Sequence, residues 1–103
     1  MKETWEDIRD FVGLYRVSNK GRVKSLTKKR KNESWLKEQI LLPLTDNMGY
    51  TCVILYYNNK AETHRVNELV AEAFILNPEN KPQINHKNYA KTDNSVENLE
   101  WEL

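Results

Sequence analysis

Apolar and polar residues alternate along the first two thirds of the chain, and the period then changes. Leu14-Tyr15-Arg16-Val17 and Arg22-Val23-Lys24-Ser25-Leu26 are short alternating runs. They flank Ser18-Asn19-Lys20-Gly21, whose Asn and Gly suit the positive φ angles of a tight turn, so the pattern predicts a β-hairpin. The polar stretch from Thr27 to Ser34 predicts a loop, and Trp35 to Leu44 holds a further strand. Asp46-Asn47-Met48-Gly49 turns the chain into Tyr50 to Tyr57, a run rich in β-branched and aromatic residues. Asn58-Asn59-Lys60 turns it again into Ala61 to Arg65, and together these segments predict a small antiparallel sheet.

From Asn67 the spacing becomes helical: Leu69, Val70, Ala73 and Phe74 recur on one face, with Asn67 as the expected N-cap and Asn77-Pro78 as the stop. Beyond it, Ile84 and Val96-Leu99-Trp101 are the main apolar anchors of a polar stretch, which predicts two short strands separated by a long loop. The expected class is α+β: a small antiparallel sheet, then a helix, then a strand pair.

A length of 103 residues suits one small domain, or two short modules sharing a core, and excludes most large enzyme folds. Hydrophobic residues at 39% with only three Gly and three Pro describe a chain that folds rather than a linker. The single cysteine, Cys52, can neither close an internal disulfide nor furnish a four-cysteine zinc site, which fits a reducing, cytoplasmic setting. The longest apolar runs, 40–44 and 53–57, fall well short of the roughly 20 residues that cross a bilayer. The start, Met-Lys-Glu-Thr-Trp, is no signal peptide, so no membrane partner is expected.

Sixteen Lys and Arg against fifteen Asp and Glu leave a formal charge of +1, so total charge names no partner. Its distribution is more informative. Lys20, Arg22, Lys24, Lys28, Lys29, Arg30 and Lys31 follow one another without an acid, between an acidic start (Glu3, Glu6, Asp7, Asp10) and an acidic end (Asp93, Glu97, Glu100, Glu102). Such side chains neutralise phosphates through counterion release, and a hairpin can aim Arg16, Arg22 and Lys24 outward while Val17 and Val23 face a core. A solvated run that guards a sheet edge is the alternative. His86, within Ile84-Asn85-His86 and followed by Lys87-Asn88 and Asp93-Asn94, is a candidate general base beside a divalent ion; an ordinary loop histidine is the alternative. His64, on a strand between Thr63 and Arg65, is the weaker candidate. Asn98 is expected to bond nearby backbone and hold the long loop in shape. The sequence has no Gly-rich phosphate loop, nucleophile elbow or Cys-His metal pair, which excludes those enzyme classes.

Trp5, Ile8 and the run from Gly13 to Leu26, above all Val-Ser-Asn-x-Gly-Arg-Val-x-Ser-Leu at 17–26, resemble the NUMOD-type DNA-binding domain that opens many phage and intron HNH homing endonucleases. Leu69 to Phe74, Asn77-Pro78, Asn80-Lys81-Pro82, Ile84-Asn85-His86 and Asn98-Leu99-Glu100-Trp101 match, in order, the HNH half of the same proteins. The resemblance implies a β-rich DNA-binding region over 1–60 and an HNH-like region over 61–103 built as a ββα-metal unit. It implies His86 as general base, Asn85 as a metal ligand and Asn98 as the loop-shaping residue, with Mg²⁺ or Mn²⁺ as the ion where the unit is active. Double-stranded DNA would then lie against Arg16, Asn19, Lys20, Arg22, Lys24, Lys28, Lys29, Arg30 and Lys31.

The sequence departs from that family in three ways. It stops at Leu103, before the helix that would bring a further ligand, and the neutral Asn85 gives an ion little hold, so an incomplete metal unit is expected. The family's Val-His-Arg-Leu-Val becomes Val66-Asn67-Glu68-Leu69-Val70, and its Asn-His-x-Asp-Gly becomes Asn85-His86-Lys87-Asn88-Tyr89. The expectation is an HNH homing-endonuclease-like DNA-binding protein impaired in catalysis. The alternatives are a phage-type regulator or protein inhibitor of a host nuclease on an inactive HNH scaffold, and a DNA-nicking enzyme completed by a partner or a longer native chain. A homodimer through Leu99, Trp101 and Leu103 would cover apolar surface left bare by the absent helix.

Overall fold

The structure is a computed structural model that describes residues 1–29 and 35–103. In chain order its strands are β1 (Trp5–Asp7), β2 (Tyr15–Ser18), β3 (Val23–Ser25), β4 (Lys28–Lys29), β5 (Trp35–Leu36), β6 (Gln39–Ile40), β7 (Leu44–Thr45), β8 (Thr51–Tyr57) and β9 (Lys60–Arg65). Helix α1 (Val66–Phe74) follows, then β10 (Gln83–His86), one 3₁₀ turn at Val96–Asn98, and β11 (Leu99–Glu102). The arrangement is α+β. Sheets run β1-β2-β3-β6 and β7-β8-β9, with β4-β5 and β10-β11 as separate pairs, and every pairing is antiparallel.

The β2–β3 hairpin follows from the alternation. Val17 faces Val23 and Arg16 faces Lys24 across the ladder. Tyr15, Val17 and Val23 are buried on one side, so Arg16 and Lys24 stand on the other. The turn closes because Gly21 adopts φ +85° and because the buried Ser18 hydroxyl accepts from the amides of Lys20 and Arg22.

Three expectations are corrected here. The stretch from Thr27 to Ser34 is not wholly a loop: Lys28 and Lys29 pair with Leu36 and Trp35. That pairing was illegible because short strands of polar residues carry no apolar alternation. The segment from Trp35 to Leu44 holds not one strand but β5, β6 and the start of β7, with Pro43, which has no amide to donate, between the last two. Helix α1 is capped by the extended Arg65 rather than by Asn67, which lies buried in the first turn with its Oδ1 accepting from the Glu68 amide. The helix starts where β9 delivers the chain.

Ile8, Phe11, Tyr15, Val17 and Val23 meet Val53 and Leu55 of β8, Val66, Leu69 and Val70 of α1, and Leu99 of β11 in one hydrophobic core. Residues from both sequence halves therefore share a single core. Tyr15 ties two sheets together, its hydroxyl accepting from the Tyr56 amide at 3.0 Å and its ring standing edge-on to Phe11. The apolar surface expected to be bare near the C-terminus is largely covered. Leu99 is 2% exposed against α1, and Trp101 is half-buried with its Nε1 donating to the Ile75 carbonyl, so of the three only Leu103 faces solvent. Among the described residues no helix is long and apolar enough to cross a membrane.

Candidate nucleic-acid interface

Strand alternation brings Trp5 and Asp7 of β1, Arg16 of β2 and Lys24 of β3 to the face of the first sheet that points away from the core. Trp5 is the platform of this face. The Lys24 Nζ lies 4.3 Å from its ring centre and the Arg22 guanidinium carbon 5.7 Å, distances at which a cation is held by the ring quadrupole. Each cation is also matched with a carboxylate: Arg16 with Asp7 at 3.2 Å, Lys24 with Glu38 at 3.4 Å, and Arg22 with Glu3 through a two-pronged contact that includes Nε at 2.9 Å. The Arg22 hydrogen bond, aided by Ser18, holds the Glu3 carboxyl down to about 2. Lys20 stands exposed at the hairpin tip.

Asn19 has another job. Only 8% exposed, it accepts from the Thr4 amide and donates to the Lys2 carbonyl, while its backbone carbonyl takes the Val96 amide. It binds the N-terminus to the hairpin and the hairpin to the β10–β11 connection, spending one N–H and one lone pair of its amide on the N-terminus. Lys28 and Lys29 lie on β4, and Arg30 and Lys31 lie outside the described residues.

The second group sits at the end of β10. His86 is 6% exposed, and its Nε2 lies 2.8 Å from Asn94 Oδ1. An amide oxygen can only accept, so the Nε2–H donates and Nδ1 carries the free lone pair. Among the described residues Nδ1 has no hydrogen-bond partner.

The loop beyond His86 is braced by Asn98. Its Nδ2 donates to Asn88 Oδ1 at 2.9 Å and to the Asp93 carbonyl at 2.8 Å, and its Oδ1 accepts from the Asn88 amide. Asp93 is lowered by the Ser95 hydroxyl and further by Asn88.

One cluster carries no signal in the sequence. The Tyr50 ring lies 6.0 Å from the His86 ring, with the Arg65 guanidinium 4.0 Å and the Lys91 Nζ 4.8 Å from its centre. These residues come from four separate segments, so no spacing along the chain announces them.

A divalent ion of the kind the HNH resemblance implies finds few donors here. Asn85 donates its Nδ2 to Glu100 Oε1 across the β10–β11 ladder, which places one neutral and one anionic oxygen donor side by side. Among the described residues no three His, Cys, Asp or Glu side chains are placed to hold an ion. This donor set does not fit an ion held by these side chains alone.

The NUMOD4 motif matches residues 3–56. The chain is 37% identical over 101 residues to an uncharacterized HNH endonuclease of Acanthamoeba polyphaga mimivirus, covering 98% of this chain and 27% of that protein. It is 35% identical over 97 residues to the DNA endonuclease I-HmuI of Bacillus phage SP01, covering 94% and 51%. A solved structure of DNA binding and cleavage by I-HmuI is similar at a TM-score of 0.78 and 31% identity, over 96% of this chain and 52% of that one. The chain thus spans about a quarter to a half of the length of the relatives it matches.

Proposed function

Because the chain belongs to the HNH homing-endonuclease family that carries the NUMOD4 motif, we propose that it holds double-stranded DNA on the outer face of its first sheet and presents His86 to the phosphodiester backbone. The observation that carries this reading is the Trp5 platform with Arg16, Arg22 and Lys24, each paired with an exchangeable surface carboxylate. An ion pair exposed on both sides, as Arg16–Asp7 is, contributes only about 0–1 kcal/mol, so a phosphate oxygen replaces that carboxylate at little cost while counterions leave the duplex. The phage relative, whose structure is of DNA binding and cleavage, supports a duplex as partner.

His86 has the geometry of a general base. Asn94 holds Nε2–H, leaving Nδ1 to take a proton from water as its oxygen bonds to phosphorus and the P–O bond to the leaving alkoxide breaks. The weak point is the ion. With neutral Asn85 and a single neighbouring carboxylate, the donors around His86 favour binding over cutting.

Fluorescence anisotropy with a labelled duplex across a salt series tests the reading. The parent binds at low salt, and changing Arg16, Lys20, Arg22 and Lys24 together to Ala lowers the slope of log affinity against log salt by about 0.9 for each phosphate no longer neutralised. An unchanged slope in a folded variant rejects this face. Supercoiled plasmid with Mg²⁺ or Mn²⁺ is expected to stay uncut; nicking that His86→Ala abolishes overturns the impairment and leaves the DNA reading intact.

A further inference from the structure

The Tyr50 cluster holds more positive charge than it neutralises. Arg65 gives its Nε to Asp46 Oδ2 at 2.8 Å, and its guanidinium stacks on Tyr50. Among the described residues no acceptor takes its Nη groups. Asp46 is otherwise committed to local backbone, its Oδ1 accepting from the amides of Met48 and Tyr50. Burial pushes the Asp46 carboxyl up, but the Arg65 hydrogen bond and these two amides together hold it below the usual range, so it stays charged.

Lys91 reaches the same ring from the loop beyond His86 and, among the described residues, donates only to the Met48 carbonyl at 2.7 Å, a neutral acceptor. Among the described residues, two further acids of this region are committed or act at a distance. Asp93 is bound by Ser95 and Asn88, and Glu68 acts on Arg65 only through space. Two cations on one ring repel each other, and a cation–π contact at an exposed site returns only about 0.5–1 kcal/mol. An arrangement that gathers like charges on a ring 6.0 Å from that of His86 suits an anion.

We propose that Arg65 and Lys91, gathered on Tyr50, hold a DNA phosphate and thereby set the strand against His86. The proposal rests on the DNA reading above and adds a second anchoring point to it. The first sheet grips the duplex, and this pair decides which phosphate lies at Nδ1. Both are positioning residues. Arg65 offers the free edge of a planar fork and Lys91 a point charge, a combination suited to a tetrahedral phosphate oxygen set.

The test uses the full chain with histidine-labelled NMR and a mixed-sequence duplex. In the parent, saturating duplex shifts the His86 ring signals. In Arg65→Gln/Lys91→Ala, saturated at low salt through the sheet face, those signals stay at their free positions, and the salt slope of binding falls by about 0.9 for each phosphate that the pair no longer neutralises. Lys91→Ala alone, at an exposed position, gives the same direction if the double variant unfolds. A parent that binds no duplex overturns the DNA reading itself. A parent that binds while His86 does not shift, or variants that shift as the parent does, overturn this proposal and leave the sheet face standing.

Discussion

The outer face of the first sheet and the loop between β10 and β11 are both polar, yet they use their polar atoms in opposite ways. On the sheet, Arg16, Arg22 and Lys24 sit in one-to-one pairs with acids, each pair keeping at least one side chain open to solvent, and water or phosphate can replace a partner there. In the loop, Asn98 is joined to Asn88 and to the Asp93 carbonyl, and Asn94 to His86, by bonds of 2.8–3.0 Å, and Asn94 and Asn98 are buried. The difference is one of solvent. An exposed charge loses little when it changes partner, whereas a buried amide stripped of its partner bears the full desolvation cost. The sheet is therefore built to exchange partners, and the loop to hold His86 still.

That contrast is broken most severely by Asn98→Ala. It removes three hydrogen bonds from a residue 8% exposed, and urea unfolding should show a loss of about 3 kcal/mol. A loss as small as that at a surface residue would mean the loop is not locked. Gly21→Ala comes next, since the hairpin meets the loop there. A β-carbon would lie 3.0 Å from the Asn94 carbonyl oxygen at φ +85°, and thermal unfolding should report about 2 kcal/mol of destabilisation.

Smaller effects sharpen the other side. Glu3→Gln releases Arg22, so stability should change by less than about 1 kcal/mol while duplex affinity rises, with a steeper salt dependence in anisotropy titrations. Weaker binding would place Glu3 in the DNA interface itself. The mildest effect is on acid stability. Glu3 titrates at about 2 in the folded chain against an ordinary 4.5, so its contribution is complete above pH 4.5 and fades as pH falls towards 2. Parent and Glu3→Gln should therefore differ in acid unfolding above that window and converge below it.

Legibility followed the range of the interaction. The hairpin from Leu14 to Leu26 was readable because its alternation and its Asn-Lys-Gly turn act within a few residues, and so was the apolar face of α1. The helix start was not: Asn67 has the chemistry of a cap, but β9 fixes the path of the chain and Arg65 takes that place. Asn19 and Lys20 are adjacent and both polar, and only packing against Thr4 and Val96 separates the structural residue from the exposed one.

The sequence by itself determined the α+β class, the hairpin and its outward cations, and the membership of His86 and Asn98 in one polar stretch, because each depends on residue type and local period. Only the tertiary structure decided that the acids at the start of the chain cover the basic face, that Leu99 lies in the core, and that Tyr50, Arg65 and Lys91 gather beside His86. Those are meetings of segments far apart along the chain, and their energies exist only once the shared core has brought the segments together.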